Sequence, residues 1–236
     1  MMSYNFTDHY DKTFLLKNMM GPNAMRIAEE LDASLNICPD MRLLDLGCGC
    51  GLSTIYYAEN YPVDIIAADL WISPTDNYRR FVERGIDKRV TPIHIDATES
   101  LPFAERYFDL LISIDAYHYF GCDEMMLKKL TPHIKSGGKI AVVVPGLKKD
   151  FNDDIPDELK PFWQENMNLF SCDWWQTLWQ KEAGIKIDCC REMDCCEAAW
   201  ADWLACPNPY AQNDIKMMAA EGGNYFNLVM IIATAL

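Results

Sequence analysis

The segment Asp45-Leu46-Gly47-Cys48-Gly49-Cys50-Gly51 decides how the chain is read. It completes the apolar run Arg42-Leu43-Leu44-Asp45-Leu46 and opens a helical pattern from Ser53 to Asn60. A strand-to-helix turn built on glycines lets backbone come close to a ligand, since no Cβ stands in the way. The spacing is not the dinucleotide fingerprint G-x-G-x-x-G: the third glycine falls one position early, and Leu52 stands in its place. Asp45, two residues before the first glycine, would repel a pyrophosphate and suits a cofactor that carries a positive amino group.

Two more carboxylates follow at strand ends. Asp69 closes the run Val63 to Asp69, about twenty residues after the glycines, where a carboxylate grips a ribose diol. Asp96 follows the run Val90 to Ile95; it can accept from an adenine amino group while the Ala97 N–H donates to the ring. Each aspartate alone reads as a helix cap or turn residue. Together with the glycines they fit a ligand lying across the carboxyl edge of a sheet.

Outward from this centre the chain alternates β-rich runs with helical patterns, which predicts an α/β fold with a mostly parallel sheet. A helical region runs from Lys12 to Leu35, broken at Gly21-Pro22-Asn23 with Pro22 near the start of its second piece. Helices are predicted at Asp76 to Arg84, stopped by Gly85, at Asp123 to Leu130, and at Asp173 to Ala183, stopped by Gly184. Strands are predicted at Phe108 to Ile114, at Lys139 to Val144 between Gly137-Gly138 and Pro145-Gly146, at Ile185 to Cys189 and at Asn227 to Thr234. Asp150 to Pro161 reads as a polar loop or lid, and Arg191 to Gly223 as mixed. One domain over 1–236 is expected, with a helical cap at 1–40, a binding core at 41–146 and substrate-side elements at 147–236.

The glycine segment resembles the first motif of class I S-adenosylmethionine-dependent methyltransferases. Asp69-Leu70, Asp96-Ala97, Leu101-Pro102-Phe103, Phe108-Asp109-Leu110 and Ser136-Gly137-Gly138-Lys139 resemble the motifs that follow it. The nearest flavour is the small-molecule group of ubiquinone and menaquinone biosynthesis methyltransferases, and the likeness covers Met41 to Pro145. Cys50 departs from it, standing where the family often carries Thr or Ser. The resemblance implies a Rossmann-like, doubly wound seven-stranded sheet with its last strand antiparallel and helices on both faces. It implies S-adenosylmethionine as cofactor, with S-adenosylhomocysteine as product. Asp45 would act at the methionine amino end, Gly47, Cys48 and Gly49 make room, Asp69 hold the ribose, and Asp96 with Ala97 hold the adenine. Leu70, Trp71 and Asp115 complete the expected cofactor set, Trp71 as a cover over one adenine face or as a plain loop aromatic. Tyr10 and the Gly21-Pro22-Asn23 turn would fold over the cofactor.

A sulfonium methyl is already electrophilic, so catalysis means aligning a lone pair and excluding water; a base is needed only for a protonated acceptor. Asp115-Ala116-Tyr117-His118-Tyr119-Phe120 should face the transferred methyl. His118 has the pKa range of a general base and Tyr119 can orient an acceptor; packing beneath the cofactor is the bland alternative for both. His94 reads as a core residue.

The remaining features bound the acceptor. The 236-residue chain carries a formal net charge of -14, and its nearest approach to a basic run is Lys148-Lys149. That disfavours nucleic acid and anionic membrane surfaces and suits a neutral or cationic small molecule, although acidity also serves solubility alone. Phe162, Trp163, Phe170, Trp174, Trp175 and Trp179 crowd one stretch, either as core packing or as an acceptor pocket whose rings attract an amine. Ten cysteines, no apolar leader in Met1 to Lys12 and a short apolar end, Leu228 to Leu236, point to a cytoplasmic monomer or homodimer with reduced thiols. The pairs Cys189-Cys190 and Cys195-Cys196 lack the C-x₂-C spacing of a zinc site, and no metal is expected. Methyl transfer to a small acceptor, with an amine favoured, is the expected function. Methylation of thiol-bound arsenite, a non-catalytic S-adenosylmethionine-binding protein and a dinucleotide-dependent oxidoreductase are the alternatives.

Overall fold

The computed structural model describes residues 5–152, 154–164 and 166–236. Helices α1 (Asn5–Asp8), α2 (Lys12–Asn18) and α3 (Ala24–Asp32) precede the sheet. The core then runs β1 (Arg42–Leu46), α4 (Leu52–Asn60), β2 (Asp64–Asp69), α5 (Pro74–Glu83), β3 (Val90–His94), β4 (Phe108–Ile114), α6 (Glu124–Leu130) and β5 (Ile134–Leu147). It ends with α7 (Cys172–Trp179), β6 (Ile185–Glu192), α8 (Cys196–Leu204), α9 (Pro209–Glu221) and β7 (Phe226–Ala235).

The seven strands lie in the order β3-β2-β1-β4-β5-β7-β6. β7 runs antiparallel to both its neighbours, and the other pairings are parallel. The inner strands β1, β4 and β7 are buried on both faces and read as nearly continuous apolar runs, whereas the edge strands β3 and β6 are only partly buried. Consecutive residues divide between two layers. Leu43, Leu110, Ala141 and Met230 pack with Leu31, Ile55, Phe81 and Trp203 on one face. Leu44, Leu111, Val142 and Ile231 pack with Leu127, Trp175 and Trp179 on the other. The strand order reverses between β1 and β4, which opens a crevice at their carboxyl ends.

The expected architecture holds, with local differences. Asn23, not Pro22, meets the start of α3: its side chain caps the Met25 and Arg26 N–H groups, leaving Pro22 outside the helix. β5 does not stop at Gly137-Gly138 or Pro145-Gly146 but runs through both. Val143 is the last β5 residue paired with β4, so Pro145 lies past the neighbour that its missing N–H would have served. α7 ends at Trp179, capped by Gln180, short of Gly184. Arg191 to Gly223, which reads as mixed, contains α8 and α9. His94 is exposed, its Nε2 3.0 Å from the Leu70 carbonyl, rather than a core residue. Among the described residues no helix is long and apolar enough to cross a membrane.

Candidate functional site

The glycine loop is anchored from below. Gly47 and Cys48 donate their N–H groups to the Ala68 carbonyl at 2.8 and 3.1 Å, which ties the end of β1 to the end of β2. Gly47 has φ +76°, and a Cβ there would lie 2.3 Å from the Ala116 Cβ, so only glycine fits. Above the loop lies a cavity of about 260 Å³. Of the residues expected to bind a cofactor, Gly47, Cys48, Gly49, Asp69, Leu70, Trp71, Asp96, Ala97 and Asp115 all line it.

Asp45 is the exception. It is buried behind the wall, and its Oδ2 accepts from Ser53 Oγ at 2.7 Å and Thr54 Oγ1 at 2.6 Å, fastening the start of α4 to the end of β1. Its Oδ1 is buried without a partner, and burial pushes its carboxyl up to about 6. Ser53, which does line the cavity, stands between Asp45 and the void.

Asp69 is a clamp on backbone. Its Oδ2 accepts from the Gly49 N–H at 2.8 Å, and its Oδ1 from the Trp71 and Ile72 N–H groups, each at 2.8 Å. A carboxylate has about four acceptor directions, so one is left for a ligand. Asp96 accepts at Oδ1 from Thr98 N and Oγ1, which holds its carboxyl pKa below the ordinary carboxylate range. Trp71 is exposed at the mouth, with its ring edge-on to Tyr119 at 5.2 Å.

A second cavity, of about 250 Å³, adjoins the first. Met20, Gly21, Pro22, Asp115 and Tyr119 line both. Asp115 sits in this shared wall with φ +56°, a left-handed backbone that marks a constrained position in a non-glycine residue. Gly21 lies hard against it: a Cβ there would be 2.0 Å from Asp115 Oδ2. Burial, then the nearby Asp214, pushes the Asp115 carboxyl up to about 8. His118 lines only the second cavity. It is 4% exposed, its Nδ1 has no partner, and burial pushes it down to about 4, so at neutral pH it is an uncharged imidazole rather than a group poised near 7. Tyr119 is pushed up to about 12, by burial first and then Asp115 and Asp214, and stays protonated.

Several residues of these walls lie outside the motifs. Asn18, Met19 and Met20 of the N-terminal segment cover the first cavity beside the expected Gly21-Pro22 turn. Tyr10 does not reach it; its hydroxyl donates to Glu59 at 3.1 Å. Asn77 Nδ2 donates to the Gly49 carbonyl at 2.9 Å, while Arg80 donates to Asn77 Oδ1 and to Asn18 Oδ1, both at 2.8 Å. The polar side chains of α5 at i and i+3 were the available signal. Trp200, Asp214 and Met217 bring α8 and α9 to the second cavity.

The aromatic stretch divides. Trp175 and Trp179 are fully buried beneath Tyr117 as core. Phe170 stacks on Trp174 at 3.7 Å from outside α7, bridging to Gly146 in the sheet. Among the described residues no group of three or more His, Cys, Asp or Glu side chains is placed to hold a metal ion.

Comparison with known proteins follows the same outline. A family model described as a methyltransferase domain matches residues 43–138. The sarcosine/dimethylglycine N-methyltransferase of Halorhodospira halochloris is 28% identical over 113 residues, covering 48% of this chain and 40% of that protein. The chain spans less than half the length of the curated relatives it matches. Phosphoethanolamine N-methyltransferase 2 of Haemonchus contortus, solved with S-adenosyl-L-methionine, superposes with a TM-score of 0.75 at 18% identity, covering 100% of this chain and 60% of that one. The geranyl diphosphate C-methyltransferase of Streptomyces coelicolor superposes with a TM-score of 0.72 at 15% identity, covering 91% and 81%.

Proposed function

Because the chain belongs to the class I S-adenosylmethionine-dependent methyltransferases, we propose that it transfers the methyl group of that cofactor to the nitrogen of a small amine. The observation that carries the proposal is the shared wall: Asp115 borders a cavity behind the glycine loop and a second one lined by Asp214 and His118. The amine N-methyltransferases among its relatives support the same acceptor chemistry.

The first cavity fits the cofactor. The open acceptor direction of Asp69 suits a ribose hydroxyl, and Asp96 Oδ2 carries no hydrogen bond that would keep it from an adenine amino group. Asp45 acts by positioning: it holds Ser53 and the turn of α4 under the methionine end. The cofactor supplies a sulfonium methyl that a lone pair attacks in line.

An ammonium has no lone pair and must first lose a proton. Asp115, pushed up to about 8, titrates near the working pH of such a step and accepts the amine proton at its carboxylate. A bound ammonium draws Asp115 toward the ionised form that does so. His118 stands as an uncharged imidazole in the acceptor-side wall, and Tyr119 keeps its proton to donate. Trp71 and Tyr119 meet edge to face at the mouth, where a bound acceptor would add to their cover against water.

The test is calorimetric binding of S-adenosylmethionine and S-adenosylhomocysteine to the chain and to Asp69→Ala, beside NAD, followed by an acceptor panel. Micromolar binding that the substitution weakens and NAD does not share, with turnover of amines, supports the reading. Turnover of phenols or carbon acids alone sinks the amine.

A further inference from the structure

We infer that the second cavity selects an amine whose other groups are neutral or cationic, rejecting amines that carry phosphate or carboxylate, and that Asp214 on α9 makes this selection. The inference rests on the amine reading above and names its substrate class.

The described lining holds two carboxylates, Asp115 and Asp214, and no lysine or arginine. An anion entering there meets Asp214, and Asp115 once a bound ammonium has ionised it, with no cation in the described wall to neutralise it, inside a chain whose net charge is -14. Gln164 and Asn166 are neutral; they can hydrogen-bond an anion but leave its charge uncompensated. A cationic group meets the opposite situation, in a wall that also carries the rings of Trp200 and Tyr119.

Beside the carboxylates the wall carries other polar side chains, Gln164, Asn166 and Asn227 among them. His118 is 4% exposed and Trp200 is 9% exposed; both line the cavity, and His118 Nδ1 and Trp200 Nε1 are buried without hydrogen-bond partners. Asp214 is fixed in place: its Oδ2 accepts from Trp203 Nε1 of α8 at 2.8 Å, and its Oδ1 makes no hydrogen bond. Asp115 is already assigned to the proton of the reacting nitrogen. Asp214 is then left for the rest of the acceptor, which makes it a specificity residue rather than a catalytic one.

The experiment uses matched amines on the chain loaded with S-adenosylhomocysteine: ethanolamine against phosphoethanolamine, N-methylethanolamine against sarcosine, and 1,3-diaminopropane. Calorimetry is run at two salt concentrations, and kcat and KM are measured with S-adenosylmethionine. The expected result is binding of the unsubstituted amine about tenfold or more tighter than its anionic partner, equivalent to about 1.4 kcal/mol, with the gap shrinking at high salt. The diamine should gain most. Asp214→Asn keeps an oxygen for Trp203, so a native circular-dichroism spectrum is expected. It should narrow the gap through KM, and loss of its charge beside Asp115 should move the pH profile of kcat toward lower pH. Equal binding of the anionic partners, binding of none of the five, or a gap unchanged in a folded Asp214→Asn chain overturns the inference. The wild-type comparison needs no variant. Ordered binding without methylation of any amine would sink the methylation reading and leave the charge selection standing; efficient methylation of phosphoethanolamine would do the reverse.

Discussion

Asp115 combines a left-handed backbone, contact with Gly21 and a carboxyl pushed up to about 8 by burial and by Asp214. A raised carboxyl pKa means the fold favours the neutral form. Its contribution to stability is therefore full below the ordinary value of 3.8 and is lost as pH rises through about 8. Asp115→Asn tolerates the same backbone and removes the buried charge. We expect it to raise the stability of the cofactor-free chain at pH 8 by about 1–3 kcal/mol and to flatten the dependence between pH 4 and 8, read by urea unfolding. Amine methylation should fall by about 10²–10⁴-fold; near wild-type turnover would remove Asp115 from proton transfer. His118 behaves oppositely: pushed from 6.5 down to about 4 by burial, it contributes stability that is lost as pH falls across that interval. His118→Asn should lower kcat/KM by about tenfold without changing the shape of the kcat profile above pH 6. A profile that loses its basic limb in this variant would make His118 the base.

Among the elements, the turn from β1 to α4 carries the sharpest requirement. Gly47→Ala would meet the Ala116 Cβ at 2.3 Å from a left-handed backbone, so S-adenosylmethionine binding should weaken by about tenfold or more, at a cost of about 1–3 kcal/mol in stability. Unchanged binding by calorimetry would show that the loop and the segment after β4 can part freely. This turn was legible in the sequence because glycine spacing, the preceding apolar run and the acid at the end of β2 all speak locally. The length of β5 was not. Gly137-Gly138 and Pro145-Gly146 read as punctuation, yet the strand passes both because Pro145 lies beyond the end of β4, a fact of tertiary pairing. α9 did leave a trace: Asn208 caps it, Pro209 opens it and Gly222 ends it in the left-handed region. Its buried residues, Ala211, Met217 and Glu221, make no apolar stripe, so the helical period was hidden. Asp214, one of the two carboxylates of the second cavity, stayed out of sight for that reason. Asp45 shows the converse: its place in the motif was clear, but its burial behind Ser53 was not.

At the scale of the molecule, the seam beside both cavities joins the N-terminal helix α3 to the segment from the end of β6 through α8. Asn23 donates its backbone N–H to the Ala199 carbonyl at 3.0 Å and its side chain to Asp202 at 2.8 Å, and Arg26 reaches the same Asp202 at 2.9 Å. Deeper in the same seam, Glu30 is 1% exposed and accepts from Arg191 at 2.8 Å and from the Asp194 and Cys195 N–H groups at 3.1 and 2.7 Å. These bonds fix α3 to α8, and so Gly21-Pro22 to Trp200, across the carboxyl edge of the sheet. Burial alone would raise the Glu30 carboxyl, but Arg191 and the two backbone donors outweigh it and hold it below its ordinary 4.5. Its stabilisation is thus present above that value and lost as pH falls further. Glu30→Ala leaves those donors unanswered, and we expect a loss of about 3–5 kcal/mol, or about 6–20 °C in Tm. The variant should also lack the wild-type destabilisation below pH 4.5. Because the seam supports both walls, KM for the cofactor and for the amine should rise together at a temperature where the variant is still folded. A rise in one alone would mean that the cavities are held independently and that the seam does not couple them.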